Sequence, residues 1–290
     1  MSNINGLSFR EQARELLKNK SPKNHIKGLM HTKEEAKNLP RKFTCEKHGE
    51  FDVKFSEMST SKILVNATCS KCVEEFDKLL DEKEMEIEQQ NKKRKLDQEK
   101  ELRIKKLSEL GVSKRYVDCS FNNYTVETPE QQNALTKCVE LCDTIKSDGG
   151  GCNLIMVGGV GTGKTHLANS MVIDLYDNDK QCERINMINM IRELKATWSK
   201  DAESTEEHLI KYFSNLDLLI IDEVGVQFNS DTEKMFVFDI IDGRYDNCLP
   251  TVIISNLDIN GVKEVVGERC IDRLRQDGGK VVAFNWNSYR

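Results

Sequence analysis

The sequence predicts an α/β protein with a parallel sheet flanked by helices, preceded by a small N-terminal metal-binding module and a connecting helix. Three observations support this. From about residue 111 onward, short apolar runs alternate with amphipathic helical patterns, which is typical of a parallel sheet. Cysteines and a histidine cluster between β-rich pieces at about 41–72. Residues 73–110 contain no glycine or proline and are highly charged, which indicates a long helix.

The predicted sheet rests on five short apolar runs. Their length and apolar character are expected for strands buried on both faces of a sheet. The runs are residues 154–157, 185–188, 218–221, 251–254 and 281–284.

Three regions are expected along the 290 residues. Residues 1–72 hold one amphipathic helix and the metal-binding module, 73–110 form the connecting helix, and 111–290 form the sheet domain. Apolar positions disappear across 89–95, where the helix changes from acidic to basic. That gap argues against a continuous coiled coil and favours a solvated connecting helix.

Composition excludes several classes of protein. The formal net charge is −5, so any contact with nucleic acid must come from a local patch or a partner. No run is long enough and apolar enough for a membrane span, and the N-terminus lacks the features of a secretory signal. Ten cysteines in an unexported chain are expected to be thiols or metal ligands. We therefore expect a cytoplasmic protein.

A phosphate-binding loop occupies residues 158–165, which match G-x-x-x-x-G-K-[ST] at every fixed position. An apolar strand precedes the pattern and a helical segment follows it. Glycines let backbone N–H groups approach the phosphates, and the helix N-terminus adds partial positive charge. Lys164 is expected to bridge β- and γ-phosphate oxygens and Thr165 to ligate Mg²⁺. A glycine-rich turn that binds nothing is the alternative. The candidate nucleotide-binding residues are Gly158, Gly159, Val160, Gly161, Thr162, Gly163, Lys164, Thr165 and His166.

The second half of the site follows the apolar run 218–221. Ligands of open α/β sheets bind at the carboxyl ends of the strands, where Asp222 and Glu223 fall. Asp222 is expected to hold Mg²⁺ through its water shell and Glu223 to deprotonate the attacking water. Solvated acids capping a strand are the alternative. Their pairing with the phosphate loop favours the catalytic interpretation, with ATP and Mg²⁺ as cofactors.

Cys45 and His48 form a C-x₂-H pair, and Cys69 and Cys72 form a C-x₂-C pair twenty residues later. Two such pairs can complete a tetrahedron around Zn²⁺, and four protein ligands make the site structural. A redox-active thiol pair and unbound cysteines are the alternatives. The remaining cysteines are expected to be small buried apolar residues; they are Cys119, Cys138, Cys142, Cys152, Cys182, Cys248 and Cys270.

From about residue 110 to 290 the chain resembles the AAA+ ATPase family that contains DnaC helicase loaders and IstB transposition helpers. The resemblance is carried by residues 119–124, 158–165, 217–227, 267–275 and 284–290. It implies that Asn256 is the sensor-1 residue that helps hold the attacking water. Arg273 matches the arginine finger that reaches the nucleotide of a neighbouring subunit; an exposed, ion-paired helix residue is the alternative, and Arg269 and Arg275 lie close enough to be mistaken for it. Arg290 matches the sensor-2 arginine, which contacts nucleotide in its own subunit.

The resemblance implies an ATP-dependent loader of a DnaB-type helicase hexamer onto single-stranded DNA, self-associating through its ATPase domain. The zinc module departs from the simplest DnaC pattern and suggests a phage or prophage type of loader, with the docking surface rebuilt around zinc. An IstB-like transposition helper and a zinc-containing adaptor with ATP as a conformational switch remain open. Residues 119–124 and 284–290 favour the loader, and intact Asp222 and Glu223 count against the adaptor.

In this family the ATPase ring grips single-stranded DNA between the second and third strands, here residues 189–215. Basic and aromatic side chains there could hold phosphates and stack a base; they are Arg192, Lys195, Trp198 and Lys200. An ordinary amphipathic helix with Ile191, Leu194 and Trp198 in the core is the alternative. The basic run 92–95 is a second candidate for the DNA contact.

Overall fold

A computed structural model describes residues 7–23, 30–58, 62–148, 150–199, 201–202, 204–225 and 230–289. The chain divides into two compact units, Met1–Lys100 and Glu101–Arg290, with the division inside the long charged helix. The first unit contains both cysteine pairs, and the second contains the phosphate loop.

The helices in the described residues are α1 Phe9–Leu16, α2 Lys33–Lys37, α3 Ser70–Glu109, α4 Pro129–Asp148, α5 Lys164–Tyr176, α6 Met187–Ala196, α7 Glu206–Asn215, α8 Asp231–Asp246, α9 Ile259–Val266 and α10 Glu268–Arg275. The strands are β1 Met30–Thr32, β2 Lys42–Cys45, β3 Gly49–Asp52, β4 Lys54–Glu57, β5 Lys62–Asn66, β6 Leu154–Gly158, β7 Cys182–Asn186, β8 Leu218–Asp222, β9 Thr251–Ser255 and β10 Lys280–Phe284.

The sheet of the second unit has five parallel strands in the order β10-β6-β9-β8-β7. It confirms the predicted parallel α/β fold. Along the central strands, alternate residues enter two cores. Met156 and Ile220 pack against α4 and α5, while Ile155 and Ile221 pack against α6 to α10. Burial on both faces explains why these strands are apolar throughout.

One predicted strand was displaced. The run 185–188 was expected to be a strand, but β7 spans Cys182–Asn186 and α6 begins at Met187. The Asn186 side chain accepts a hydrogen bond from the Ile188 N–H at 2.8 Å and caps α6. β7 is an edge strand with partly exposed Glu183 and Arg184, so its sequence lacks the continuous apolar character of the central strands.

Arg244 on α8 is fully buried and ties α7, α8 and β9 together. Its guanidinium donates to the carbonyls of Phe213 at 2.7 Å, Leu216 at 2.8 Å and Pro250 at 2.5 Å, and to the Thr251 hydroxyl at 2.9 Å. Burial lowers the pKa of the guanidinium to about 9, which leaves it protonated at neutral pH. Four acceptors therefore depend on one side chain.

We expect Arg244→Leu to lower the free energy of unfolding of the second unit by about 3 kcal/mol or more, because three buried carbonyls lose their donor. Both tryptophans, Trp198 and Trp286, lie in this unit, so urea unfolding followed by tryptophan fluorescence measures it alone. Arg269→Leu at an exposed position is the control. Equal unfolding midpoints for Arg244→Leu and the control would contradict this assignment.

The first unit contains a three-stranded antiparallel sheet in the order β1-β5-β4 and the separate hairpin β2-β3. Its sheet core is small, with Val53, Val65 and Ala67 buried. A second cluster joins Ala13 and Leu17 to Leu80 of α3. Residues 1–40 were expected to contribute one helix; besides α1, the structure shows β1 and α2 there.

The long charged helix is confirmed as α3, which spans Ser70–Glu109. Every residue from 92 to 102 is exposed, including the basic run 92–95, whereas Leu80 and Leu107 are buried. This pattern agrees with a helix that is solvated in its middle and packed near its ends.

All ten cysteines are free thiols. Of the seven expected to be buried, Cys152 is only partly buried and Cys248 is exposed, so the expectation was wrong for these two. Cys248 lies in the turn that follows the C-terminus of α8, with φ 55°. Among the described residues, no helix has the length and apolarity needed to span a bilayer.

Candidate nucleotide site and candidate metal centre

The phosphate loop leaves β6 and enters α5 at Lys164. Gly158 has φ 138°, and a Cβ there would lie 2.4 Å from the Phe284 carbonyl oxygen of β10. Gly163 caps α5 with φ 95°, and its Cβ would meet the Tyr124 ring at 2.8 Å. Both positions therefore require glycine for backbone conformation and for close packing.

Lys164 is 5% exposed and bends back over the loop. Its ammonium donates to the carbonyls of Gly158 at 2.7 Å and Gly159 at 2.6 Å. Burial lowers the pKa of this ammonium. The ammonium also donates to the Thr162 hydroxyl at 3.4 Å, so the positive charge lies inside the phosphate loop, held by two carbonyls and one hydroxyl.

Asp222 ends β8 and is 4% exposed. One carboxylate oxygen, Oδ1, accepts the Glu223 N–H at 2.7 Å, and Oδ2 accepts two donors from Arg184, at 3.0 and 2.5 Å. Glu223 has φ 56°, is exposed, and accepts a hydrogen bond from the Asn186 side-chain amide. The strand end therefore directs a buried carboxylate and an exposed one to the same edge of the sheet.

A cleft of about 620 Å³ joins these parts. Its lining includes Gly161 to His166 from the loop, the two acids and Asn256, so most of the expected site residues come together. The remaining side of the cleft is formed by Arg115, Tyr116, Asn123, Tyr124, Thr125 and Tyr289. The Tyr124 hydroxyl is buried with no hydrogen-bond partner in the described part of the chain.

The C-terminal segment after β10 crosses the phosphate loop. Trp286 Nε1 donates to the Thr162 carbonyl at 3.0 Å, and the Tyr289 N–H donates to the Gly161 carbonyl at 3.0 Å. The Tyr289 hydroxyl donates to the Thr125 carbonyl at 2.9 Å. This segment therefore bridges the phosphate loop and the 123–125 side of the cleft.

Arg273, expected to reach the nucleotide of a neighbouring subunit, does not line the cleft of its own chain. Arg273 lies on α10, where its Nε donates to Asp242 at 2.9 Å and its guanidinium stacks over the Tyr245 ring at 4.4 Å. Arg290 lies outside the described residues. Arg273 is therefore paired with α8 through Asp242 and Tyr245.

The two cysteine pairs of the first unit converge. The ligand atoms of Cys45, His48, Cys69 and Cys72 all lie within 4.8 Å of one another. Cys45 Sγ is 3.5 Å from Cys72 Sγ, and His48 Nδ1 is 3.2 Å from Cys72 Sγ and 3.6 Å from Cys69 Sγ. A tetrahedral Zn²⁺ site with bonds of about 2.3 Å separates its ligands by roughly 3.8 Å. The donor set and its spacing fit a tetrahedral metal ion.

The neighbours of the cluster shift the pKa values of two of its thiols in opposite directions and orient its imidazole. Backbone N–H groups of Lys47 and His48 lower the pKa of Cys45 to about 6, whereas donation to the Cys45 sulfur raises the pKa of Cys72 to about 11. His48 Nε2 lies 3.1 Å from a Glu75 carboxylate oxygen. A carboxylate on the outer nitrogen fixes the imidazole with Nδ1 free as a ligand. Cys72 and Glu75 both lie on the first turns of α3.

Together, the strand order, the phosphate loop and the acidic strand end define a P-loop ATPase domain of the AAA+ type. Residues 56–290 match the family model of IstB-like ATP binding proteins. The chain belongs to this family.

Relatives with established names agree with this assignment. The replicative helicase loader DnaC of Buchnera aphidicola subsp. Baizongia pistaciae is 35% identical over 184 residues, 63% of this chain and 74% of the relative. The DnaC of Escherichia coli strain K12 is 36% identical over 180 residues, 62% of this chain and 72% of the relative. A crystal structure of the DnaC helicase loader superimposes with a TM-score of 0.51 at 22% identity, covering 59% of this chain and 99% of that one.

Sequence reasoning missed four residues of the two sites. Arg184 and Asn186 contact the two acids, Tyr124 packs on Gly163, and Glu75 contacts His48. Glu75 follows Cys72 by three residues, so helical periodicity could have placed it beside the cluster. Arg184 and Asn186 could not be found this way, because they meet Asp222 and Glu223 across strands.

Proposed function

We propose that this protein is an ATP-dependent loader that places a replicative helicase hexamer on single-stranded DNA. The observation that carries the proposal is the identity of 35–36% with relatives named DnaC over most of their length. The cleft geometry supports an ATP-driven switch, because it combines a phosphate loop with an acid positioned for water activation.

Within the cleft, each residue has a defined task. Lys164 would exchange its carbonyl partners for β- and γ-phosphate oxygens, and the Thr165 hydroxyl and Asp222 would hold Mg²⁺. Mg²⁺, when bound, supplies positive charge at the phosphates. Glu223, held by Asn186, accepts a proton from the attacking water, and Asn256 helps hold that water.

Arg273 acts in trans in this proposal. A guanidinium placed on phosphate oxygens of the transition state speeds phosphoryl transfer strongly. Its contact with Asp242 must open before it reaches a neighbouring subunit. Self-association through the ATPase domain and a sensor role for Arg290 complete the proposed ring site.

The Cys45–His48–Cys69–Cys72 cluster is proposed to hold one structural zinc. The ion would join the β2-β3 hairpin, which carries Cys45, to the start of α3, which carries Cys72. We assign helicase docking to residues 1–72, with α3 as the connection to the ATPase domain.

Single-stranded DNA is the second proposed partner. In the 189–215 region, one of the basic side chains expected to contact it is already paired with a carboxylate. Lys195 pairs with Glu233 at 2.6 Å, and Trp198 Nε1 donates to Glu206 at 2.7 Å. Ile191 and Leu194 are buried as in an amphipathic helix, but Trp198 is 59% exposed rather than in the core. Lys200 lies outside the described residues. Arg192 and Trp198 remain available for a phosphate and a base.

The test is helicase loading on single-stranded DNA coated with its binding protein, using the full chain and a DnaB-type hexamer. We expect ATP-dependent helicase activity with the wild type, and at least about a tenfold loss when Lys164→Ala prevents nucleotide binding. Lys105→Leu, at an exposed position of α3, is the control. Failure of the wild type to bind or load any replicative helicase would overturn the proposal.

The matching family model is that of IstB-like ATP binding proteins, so a transposition helper function like that of IstB is the second candidate. A helper of that kind acts on duplex DNA. ATPase activity stimulated by duplex DNA and indifferent to helicase and single strands would favour it over loading.

A further inference from the structure

Arg184, on the edge strand β7, has no role in the proposed chemistry, yet it contacts the metal-side carboxylate directly. Its Nε and Nη2 both donate to Asp222 Oδ2, at 3.0 and 2.5 Å. The arginine side chain is 18% exposed and the carboxylate 6%. Little water therefore screens this ion pair.

The same guanidinium has a second partner after the end of α3. Its Nη1 donates to the Gly111 carbonyl at 3.0 Å, and the Arg184 backbone N–H donates to the Leu110 carbonyl at 3.0 Å. Gly111 has φ 84°, and a Cβ there would lie 1.7 Å from the Arg184 carbonyl oxygen. Residues 110–111 thus pack closely against β7, and position 111 requires glycine.

We propose that Arg184 is a positioning residue: a fixed counter-charge to Asp222 that sets the Mg²⁺ requirement of nucleotide binding and couples that carboxylate to the end of α3. The inference rests on the proposed role of Asp222 in holding Mg²⁺.

The lone pairs of Asp222 explain how one carboxylate can both pair with Arg184 and hold Mg²⁺. Oδ1 accepts one donor and Oδ2 two, so the carboxylate is held in one orientation while Oδ1 can still accept a metal-bound water. The guanidinium also offsets the negative charge of Asp222 and repels a nearby divalent cation. Arg184 therefore orients the carboxylate and raises the Mg²⁺ concentration needed.

The contact with Gly111 extends this effect to the backbone after α3. A movement of Asp222 toward the metal side loosens its bonds to Arg184. The guanidinium and the backbone N–H of Arg184 together hold the carbonyls of residues 110–111. The hydrogen bonds of these two residues therefore change when nucleotide occupies the cleft.

The first measurement is Mg²⁺-dependent binding of a fluorescent, non-hydrolysable ATP analogue by the full chain. Arg184→Leu is expected to reach half-maximal Mg²⁺-dependent binding at about tenfold lower Mg²⁺, because the repelling charge is gone. Binding in EDTA should stay within about twofold of the wild type. Arg184→Lys keeps the charge and should keep a near wild-type requirement. Lys105→Leu, an exposed cation of α3, is the matched control.

The second measurement is amide hydrogen exchange at residues 110–112 and at Arg184, with and without the magnesium nucleotide analogue. The wild type should show a difference between the two states. Arg184→Lys should weaken it, because lysine lacks the planar fork whose Nε and Nη2 hold Asp222 while its Nη1 reaches Gly111. This variant also decides the coupling if Arg184→Leu fails to fold.

An unchanged Mg²⁺ midpoint in folded Arg184→Leu, alongside Mg²⁺-dependent binding by the wild type, overturns the inference and leaves the proposed function intact. Equal weakening of binding with and without Mg²⁺ shows a structural role only and also overturns it. A wild type whose nucleotide binding ignores Mg²⁺ refutes both this inference and the proposed metal role of Asp222.

Discussion

Glu223→Gln is expected to bind ATP within about twofold of the wild-type affinity and to lose at least about a hundredfold in turnover. The amide of glutamine can still accept the hydrogen bond from Asn186, so the side chain keeps its place beside Asp222. It cannot take a proton from water. The change therefore removes a group needed only during the reaction.

Lys164→Ala should give the opposite result, with nucleotide binding lost. Its ammonium already lies in the phosphate loop, 2.7 Å from the Gly158 carbonyl, and contacts ground-state phosphates in the proposed complex. Binding of a fluorescent ATP analogue and phosphate release, measured on the same samples, separate the two variants.

Glu264→Gln, at an exposed position on α9, is the matched control for charge removal. Turnover by Glu223→Gln at the wild-type rate would show that another group activates the water. A wild type that binds ATP tightly without turnover, alone or with DNA and helicase, would support the adaptor function instead.

Much of the sheet was predictable because its central strands are buried on both faces. The strands at Leu154, Leu218 and Thr251 have continuous apolar runs, and a parallel sheet explains these directly. β7 lies at the edge and carries Glu183 and Arg184, so its apolar pattern was weak. Asn186 caps α6 there, so the strand ends at Asn186, two residues before the predicted end at residue 188.

The phosphate loop and the cysteine cluster were predictable because their ligands are close in sequence. The Arg184–Asp222 pair spans 38 residues and depends on the parallel register that pairs Asn186 with Asp222. A single sequence contains no measure of that register. Likewise the pairing of Arg273 with Asp242 depends on how α10 packs on α8.

Loss of zinc is expected to unfold the sheet region of the first unit while the ATPase domain stays folded. In the described part of that region, the sheet core is a small cluster of Val53, Val65 and Ala67, with four partly buried neighbours. So few apolar residues cannot offset the chain entropy of the hairpin and the three-stranded sheet. Structural zinc contributes on the order of 10 kcal/mol in small modules, which is enough to account for the fold.

Metal analysis of protein purified without added zinc should give one zinc per chain. Cys69→Ser should lose the metal, and amides of β4 and β5 should then exchange with solvent within seconds, as in an unfolded segment. Tryptophan fluorescence, which reports only the second unit, should keep its wild-type unfolding midpoint. Cys248→Ser, at an exposed thiol far from the cluster in sequence, controls for the loss of one cysteine.

Glu75→Gln distinguishes a metal site from a cluster of hydrogen-bonded thiols. The carboxylate contacts His48 Nε2 but none of the metal-binding atoms, so its loss should leave the four ligands in place and weaken zinc affinity by about 10- to 100-fold. Chelator competition measures this directly. A thiol cluster without metal would respond to Cys69→Ser but would show no zinc to compete for. A folded, metal-free wild type would therefore refute the structural zinc and leave the helicase-docking module without its proposed source of stability.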